Sequence, residues 1–318
     1  MSAISELSHL KVDKAKTPEE KRARRKEAGR DNKAGYLFLL PWLIGLVVIT
    51  IGPMLASLYL SFTRYSLIQA PEWIGIENYV RMLTDARLHK SLQVTFTYVI
   101  IGVPLQLIVA LAIAILLNEG MKGLAFYRSI FYLPSMLGAS VAIAVLWRQM
   151  FGIDGLVNQV LRAVGINSQI GWISDPDYAL WSLILLHVWT FGSPMVIFLA
   201  GLRQIPGMYY EAASVDGATR WTRFTKITLP LLSPIIFFNL VLQIIGAFQS
   251  FTQAFVVSGG TGGPSDSTLF YALYLYQRGF GQFQMGYAAA MAWLLVVIVG
   301  AFTAINFFLS KYWVFYDD

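Results

Sequence analysis

Polar side chains are scarce in the apolar part of this chain, so each one can be weighed for the chemistry it offers. Asn239, Gln243, Gly246, Ser250 and Gln253 follow one another at intervals of four and three, the spacing that keeps residues on one face of an α-helix. Gln249 lies beside that stripe. Amides and hydroxyls offer donors and acceptors together, which suits a hydroxyl-rich solute such as a sugar. Phe251 and Trp189 would add ring faces for the sugar's apolar side. His187 is the one group within an apolar stretch that titrates near neutral pH. Asn239, Gln243, Gln249, Ser250, Gln253, Trp189 and His187 are therefore the candidates for a solute path. Hydrogen bonding between packed helices accounts for the stripe equally well, and a lone buried histidine is more often a satisfied core residue.

Other chemistries are poorly served. His187 has no second histidine, cysteine or carboxylate near it in sequence, so a metal site is not expected. The run SGGTGGPSDS at 258–267 has the glycines of a phosphate cradle but lacks the Gly-Lys pair that a P-loop needs, and no such pair occurs in the chain. It reads as a turn on the outer side. No catalytic cluster is legible, and no cofactor is expected on this chain.

The elements that must position the candidates are membrane-spanning helices. Of 318 residues, 56% are hydrophobic and only 13% charged, with a mean hydropathy of +0.58, well below the roughly 25% charge of soluble chains. Uncharged stretches at 35–63, 91–118, 129–147, 178–202, 231–265 and 279–310 approach or exceed the ~20 residues of a spanning helix. They are unbroken, unlike the short alternating strands of a spanning barrel. The first is longer than the apolar core of a signal peptide. The expected fold is an all-α membrane protein with six transmembrane helices, at about 36–62, 94–117, 130–147, 179–202, 231–257 and 285–310. A basic tail (1–33) precedes the six-span domain (34–318), and a long loop joins the fourth and fifth spans (203–230).

Lys and Arg concentrate in the tail, at Lys122 and Arg128, in the 203–230 loop and at Lys311. By the positive-inside rule these segments and both termini are cytoplasmic. The net charge of +6 thus follows from topology, and nucleic acid is not an expected partner; membrane lipid is. Pro41, Pro53, Pro104, Pro134 and Pro194 interrupt the spans and suggest bent helices around a path. The segment 63–90, with Trp73, Ile74 and Tyr79, is consistent with a short helix lying at the outer interface, and 151–178 reads as a small outer cap. The absence of cysteine leaves redox context unreadable.

The 203–234 loop, RQIPGMYYEAASVDGATRWTRFTKITLPLLSP, is longer than a connection requires. Its pattern gives a short helix over 208–216, a turn at Gly217 and an amphipathic segment bearing Arg220, Arg223 and Lys226. On pattern alone an interfacial linker fits. The wording adds more: Glu211-Ala212-Ala213, Asp216-Gly217-Ala218, Phe224, Ile227, Leu229 and Pro230 resemble the EAA loop of binding-protein-dependent ABC importers, in its sugar-permease (maltose and glycerol-3-phosphate) branch. FYLPSMLG, TGGPSDST and MGYAAAMAWLL extend the resemblance over the chain from about residue 35, with TGGP standing where relatives often have three glycines.

The resemblance implies the type I ABC importer permease fold in a bacterial or archaeal cytoplasmic membrane. It implies that Glu211, Ala212, Ala213, Asp216 and Gly217 seat a coupling helix in a partner ATPase. It also implies a second homologous permease subunit, two ATPase subunits carrying ATP and Mg, and an extracytoplasmic solute-binding protein. The alternative is an ion-coupled secondary transporter, which usually carries carboxylates or histidines in its spans; here His187 is the only such group.

Overall fold

The computed structural model describes residues 36–120, 123–138 and 140–315; the basic tail 1–33 and Lys122 lie outside the described residues. The chain divides into two compact units, up to Tyr59 and from Leu60 onward. The first contains nearly all of α1 (Tyr36–Ser61), whose 26 residues carry no charge and are mostly apolar.

In the second unit, a short antiparallel ribbon pairs β1 (Thr63–Arg64) with β2 (Glu72–Trp73). The short helix expected in this segment is present over Glu77–Met82 and carries Tyr79, while Trp73 lies in the ribbon ahead of it. The amide of Asn78, buried on α2 (Glu77–Met82), donates to the carbonyls of Ser61 and Thr63 at 2.9 Å each. These contacts tie α2 to the chain entering the ribbon. The apolar helices follow: α3 (Ala86–Asn118), α4 (Leu124–Leu137) with α5 (Val141–Met150), and α7 (Pro176–Trp189) with α8 (Gly192–Leu202). Between α5 and α7 lies α6 (Leu156–Ala163), anchored by the fully buried Asn158, which donates to the carbonyls of Ile153 and Ile170 and accepts from Trp172 Nε1. The loop helix α9 (Gly207–Val215) precedes α10 (Leu229–Phe248), α11 (Thr252–Val257), α12 (Tyr271–Tyr276) and α13 (Met285–Ser310). Among the described residues, four helical stretches are long and apolar enough to cross a membrane, and six are if α4/α5 and α7/α8 each count as one bent span.

Proline shapes three of these stretches by one device. The π-helical turns Leu46–Ile51, Tyr98–Gly102 and Phe224–Thr228 each end two residues before a proline, Pro53, Pro104 or Pro230. A proline offers no N–H and its ring crowds the carbonyl four residues back. Widening that turn to an i→i+5 pattern relieves the clash while the helix continues.

The core of the second unit runs along α3, α8, α10 and α12, with Tyr98, Phe198, Phe248, Phe270 and Tyr271 almost fully buried. At the N-terminal end of α3, Asp85 caps the helix by accepting from the backbone N–H groups of Arg87 and Leu88. Its carboxylate also accepts from the hydroxyls of Tyr274 (2.7 Å) and Tyr287 (2.8 Å) and from Arg278 (3.0 Å). Arg87 makes a two-pronged pair with Asp266, with Nε at 2.9 Å and Nη2 at 2.6 Å. Tyr271 N–H donates to Thr95 Oγ1, and Tyr271 hydroxyl to the Met291 carbonyl. The starts of α3, α12 and α13 are thereby bound into one block.

Candidate functional site

Three of the apolar helical stretches are broken, and the breaks meet. α4 ends at Leu137 and α5 begins at Val141, α7 gives way to α8 at Thr190–Phe191 with a bend of 41°, and α10 to α11 at 249–251, where Phe251 leaves helical geometry at φ −131°. Backbone freed from its helix at membrane depth survives only where protein or a watery cavity satisfies it. Side chains do part of that here. Gln106 Nε2 lies 3.1 Å from the His187 carbonyl, 3.2 Å from the Thr190 carbonyl and 3.1 Å from Thr190 Oγ1. Gln253 Nε2 donates to the Gly138 carbonyl at 3.2 Å, and Ser250 Oγ donates to Gln253 Oε1 at 3.1 Å.

Between the breaks lies a cavity of about 390 Å³, within the range of small-molecule sites. Among the described residues, none of its lining side chains is Asp, Glu, Lys or Arg. The structure places Gln243, Gln249, Ser250, Gln253 and His187 on this wall, with Phe251 beside them. Nε2 of His187 and Oε1 of Gln106 are buried without a partner. An empty donor or acceptor in a buried wall is costly unless something polar fills it.

Two sequence candidates sit elsewhere. Asn239 is buried one turn down α10 and donates back to the carbonyl of Ile235. Trp189 packs on Trp147, with ring centroids 6.0 Å apart, beside Phe151 and Leu186. The single helical face expected through 239–253 also ends early, because the break at 249–251 turns Ser250 and Gln253 onto their own segment. Sequence reasoning missed Gln106, Tyr98, Ser135 and Thr190, which complete the wall. Gln106 had a signal, being the one amide within 94–117; the hydroxyls had none.

The second feature is the 203–230 loop. α9 ends in a Schellman motif: Ala218 N–H bonds to the Ala213 carbonyl at 2.9 Å and Gly217 N–H to the Ser214 carbonyl at 3.1 Å, with Gly217 at φ +74°. This left-handed position is one that glycine occupies without penalty. Behind the helix, Tyr210 hydroxyl meets Thr228 Oγ1 at 2.9 Å and Arg223 Nη1 donates to Ser214 Oγ at 3.0 Å. The other side is open. Glu211, Ala212, Asp216 and Gly217 are exposed and Ala213 is half-buried. Val215 and Met208, 88% and 67% exposed, are apolar side chains on a polar loop. Asp216 stands at the helix C-terminus, where a carboxylate opposes the helix dipole. A rigid helix with an exposed apolar and acidic surface is suited to a protein partner. Among the described residues, no group of three or more His, Cys, Asp or Glu is placed to hold a metal ion.

The family described as "Binding-protein-dependent transport system inner membrane component" matches residues 87–312. The probable ABC transporter permease protein YesP of Bacillus subtilis (strain 168) is 58% identical over 290 residues, covering 91% of this chain and 94% of the relative. The lactose transport system permease protein LacF of Rhizobium radiobacter is 33% identical, covering 87% and 94%. Among solved structures, a bacterial alginate ABC transporter in complex with an alginate pentasaccharide-bound periplasmic protein has a chain of the same fold. It superposes with a TM-score of 0.75 at 23% identity, covering 90% of this chain and 96% of that one.

Proposed function

Because the chain belongs to the binding-protein-dependent transport system inner membrane component family, we propose that it forms half of the translocation path of an ATP-driven sugar importer. The observation that carries the solute path is the uncharged cavity lined by Gln106, Gln243, Gln249, Ser250 and Gln253 where three helices break. Its amides and hydroxyls match sugar hydroxyls, and Phe251 supplies a ring face. Relatives named for lactose and for trehalose and maltose transport support the sugar class.

In this reading the chain crosses a bacterial or archaeal cytoplasmic membrane six times with both termini inside, residues 34–318 forming the permease domain. It pairs with a second homologous permease subunit, two ATPase subunits that hold ATP and Mg, and an extracytoplasmic solute-binding protein. Glu211, Ala212, Ala213, Asp216 and Gly217 seat α9 in the ATPase. The chain's own work is mechanical. Its loop helix receives the closing movement of the ATPases, and its broken helices turn the cavity from one side of the membrane to the other.

Uptake into proteoliposomes holding the whole complex and its binding protein tests the reading. We expect uptake of radiolabelled sugar to require enclosed ATP and to survive a protonophore. Uptake that persists without ATP and collapses with the protonophore would assign the chain to ion-coupled transport instead.

A further inference from the structure

The aromatic ring beside the cavity is the first of a row. Phe251 lines the cavity. Its ring stacks on Phe255 at 5.2 Å between centroids and lies 5.2 Å from Tyr276; Phe255 meets Tyr276 edge-on at 5.6 Å, and Tyr276 stacks on Phe280 at 5.4 Å. Exposure rises along the row, from half-buried Phe251 and Phe255 to 38% at Tyr276 and 59% at Phe280. Two separate segments build it, and they are clipped together. Gln277 Nε2 donates to the Gly260 carbonyl at 2.7 Å. Gly260 in turn abuts the Phe255 ring, so that a Cβ there would stand 3.1 Å from it.

We propose that Phe255, Tyr276 and Phe280 form an aromatic track along which the ring faces of a saccharide pass between the outer surface and the cavity. This rests on the sugar-importer reading and on its topology, which puts 258–284 on the outer side. The C–H face of a sugar ring packs on an aromatic face without directional hydrogen bonds, so a sugar can shift from ring to ring while its hydroxyls stay hydrated. The row is continuous with the polar cavity and emerges from it, as a path requires.

The chain has no cysteine, so single-cysteine variants report one position each. In the complete complex in proteoliposomes, Phe255→Cys, Tyr276→Cys, Phe280→Cys and, as a cavity control, Gln253→Cys are treated from outside with a charged, membrane-impermeant methanethiosulfonate. Mass spectrometry reads the modified chain. We expect all four to react, Phe280→Cys fastest. A parallel set, Tyr276→Leu and Phe280→Leu against the ring-keeping Tyr276→Phe and Phe280→Tyr, is assayed for uptake of labelled lactose, trehalose and maltose. The two leucines together should lower the uptake rate at saturating sugar-loaded binding protein roughly tenfold, as loss of two ring contacts implies, with the sugar affinity of the binding protein unchanged and the ring-keeping variants near the parent. Reaction at Gln253→Cys with none at Tyr276→Cys and Phe280→Cys would overturn the track and leave the cavity standing. No reaction at any position would overturn both. Full reaction with an unchanged uptake rate in the leucine variants would make the row an aqueous wall with no hold on sugar, and the proposal would fail.

Discussion

At the residue scale, two groups of polar side chains divide the labour. Gln253 holds the Gly138 carbonyl while facing the cavity, so Gln253→Ala removes one interhelical bond, worth about 0.6–2 kcal/mol in a membrane protein, and, in the proposed reading, one sugar partner. Assembly is expected to survive and uptake to fall about tenfold, the equivalent of one hydrogen bond of ~1.4 kcal/mol. Gel filtration of the purified complex beside the uptake rate separates the two effects; lost assembly would return Gln253 to a packing role. Asp85 belongs to the other group. Burial raises its pKa, but hydrogen bonds from Tyr274, Tyr287 and the Leu88 N–H, with the charge of Arg278, outweigh that and hold the carboxyl below its ordinary value. Tyr274, buried and donating to this carboxylate, is pushed up to about 12. A depressed carboxyl stabilises fully above its unfolded value of about 3.9 and loses that share as pH falls through the folded value. Asp85→Asn should therefore lower the thermal midpoint at pH 7, costing roughly 1.5–3 kcal/mol, and the gap from the parent should narrow as pH falls below about 3.9. A gap independent of pH would contradict the assignment.

The element scale turns on α9. Gly217 at φ +74° closes its Schellman motif, and proline is confined near −65° and lacks the N–H that bonds to Ser214. Gly217→Pro should abolish transport-coupled ATP hydrolysis while the chain still inserts, read as ATPase rate against membrane-fraction yield; unchanged coupling would remove the loop from that role. Much of this element was legible in the sequence: the helix over 208–216 and the turn at Gly217 follow from alanines and a glycine at local spacing. The spans were legible as apolar runs, but their breaks were not. The stripe 239–253 keeps a helical period straight through the unwound 249–251, because the break is held by Gln253 bonding to Gly138, 115 residues away. The Asp85 cluster was invisible for the same reason, with partners 189 to 202 positions along the chain. The second helical stretch begins at Ala86, ahead of the expected 94, because Asp85 caps a polar first turn that hydropathy cannot register.

At the scale of the whole molecule, the chain presents two features that suit an assembly: a cavity lined by amides and hydroxyls and a loop helix with apolar side chains in the open. Both make sense in an assembly in which a second permease subunit completes the cavity and an ATPase covers α9. An exposed Val215 or Met208 gains on the order of 1.5–3 kcal/mol when fully buried by a partner. Replacing both by Ser should weaken retention of the ATPase without altering the sugar affinity of the binding protein. The most direct measurement is native mass spectrometry of the complex purified through this chain from its own membranes in mild detergent. The account predicts one copy of this chain with one homologous permease subunit and two ATPase subunits. Recovery of the chain alone or as a homo-oligomer, with no ATPase in any of several detergents, would contradict it.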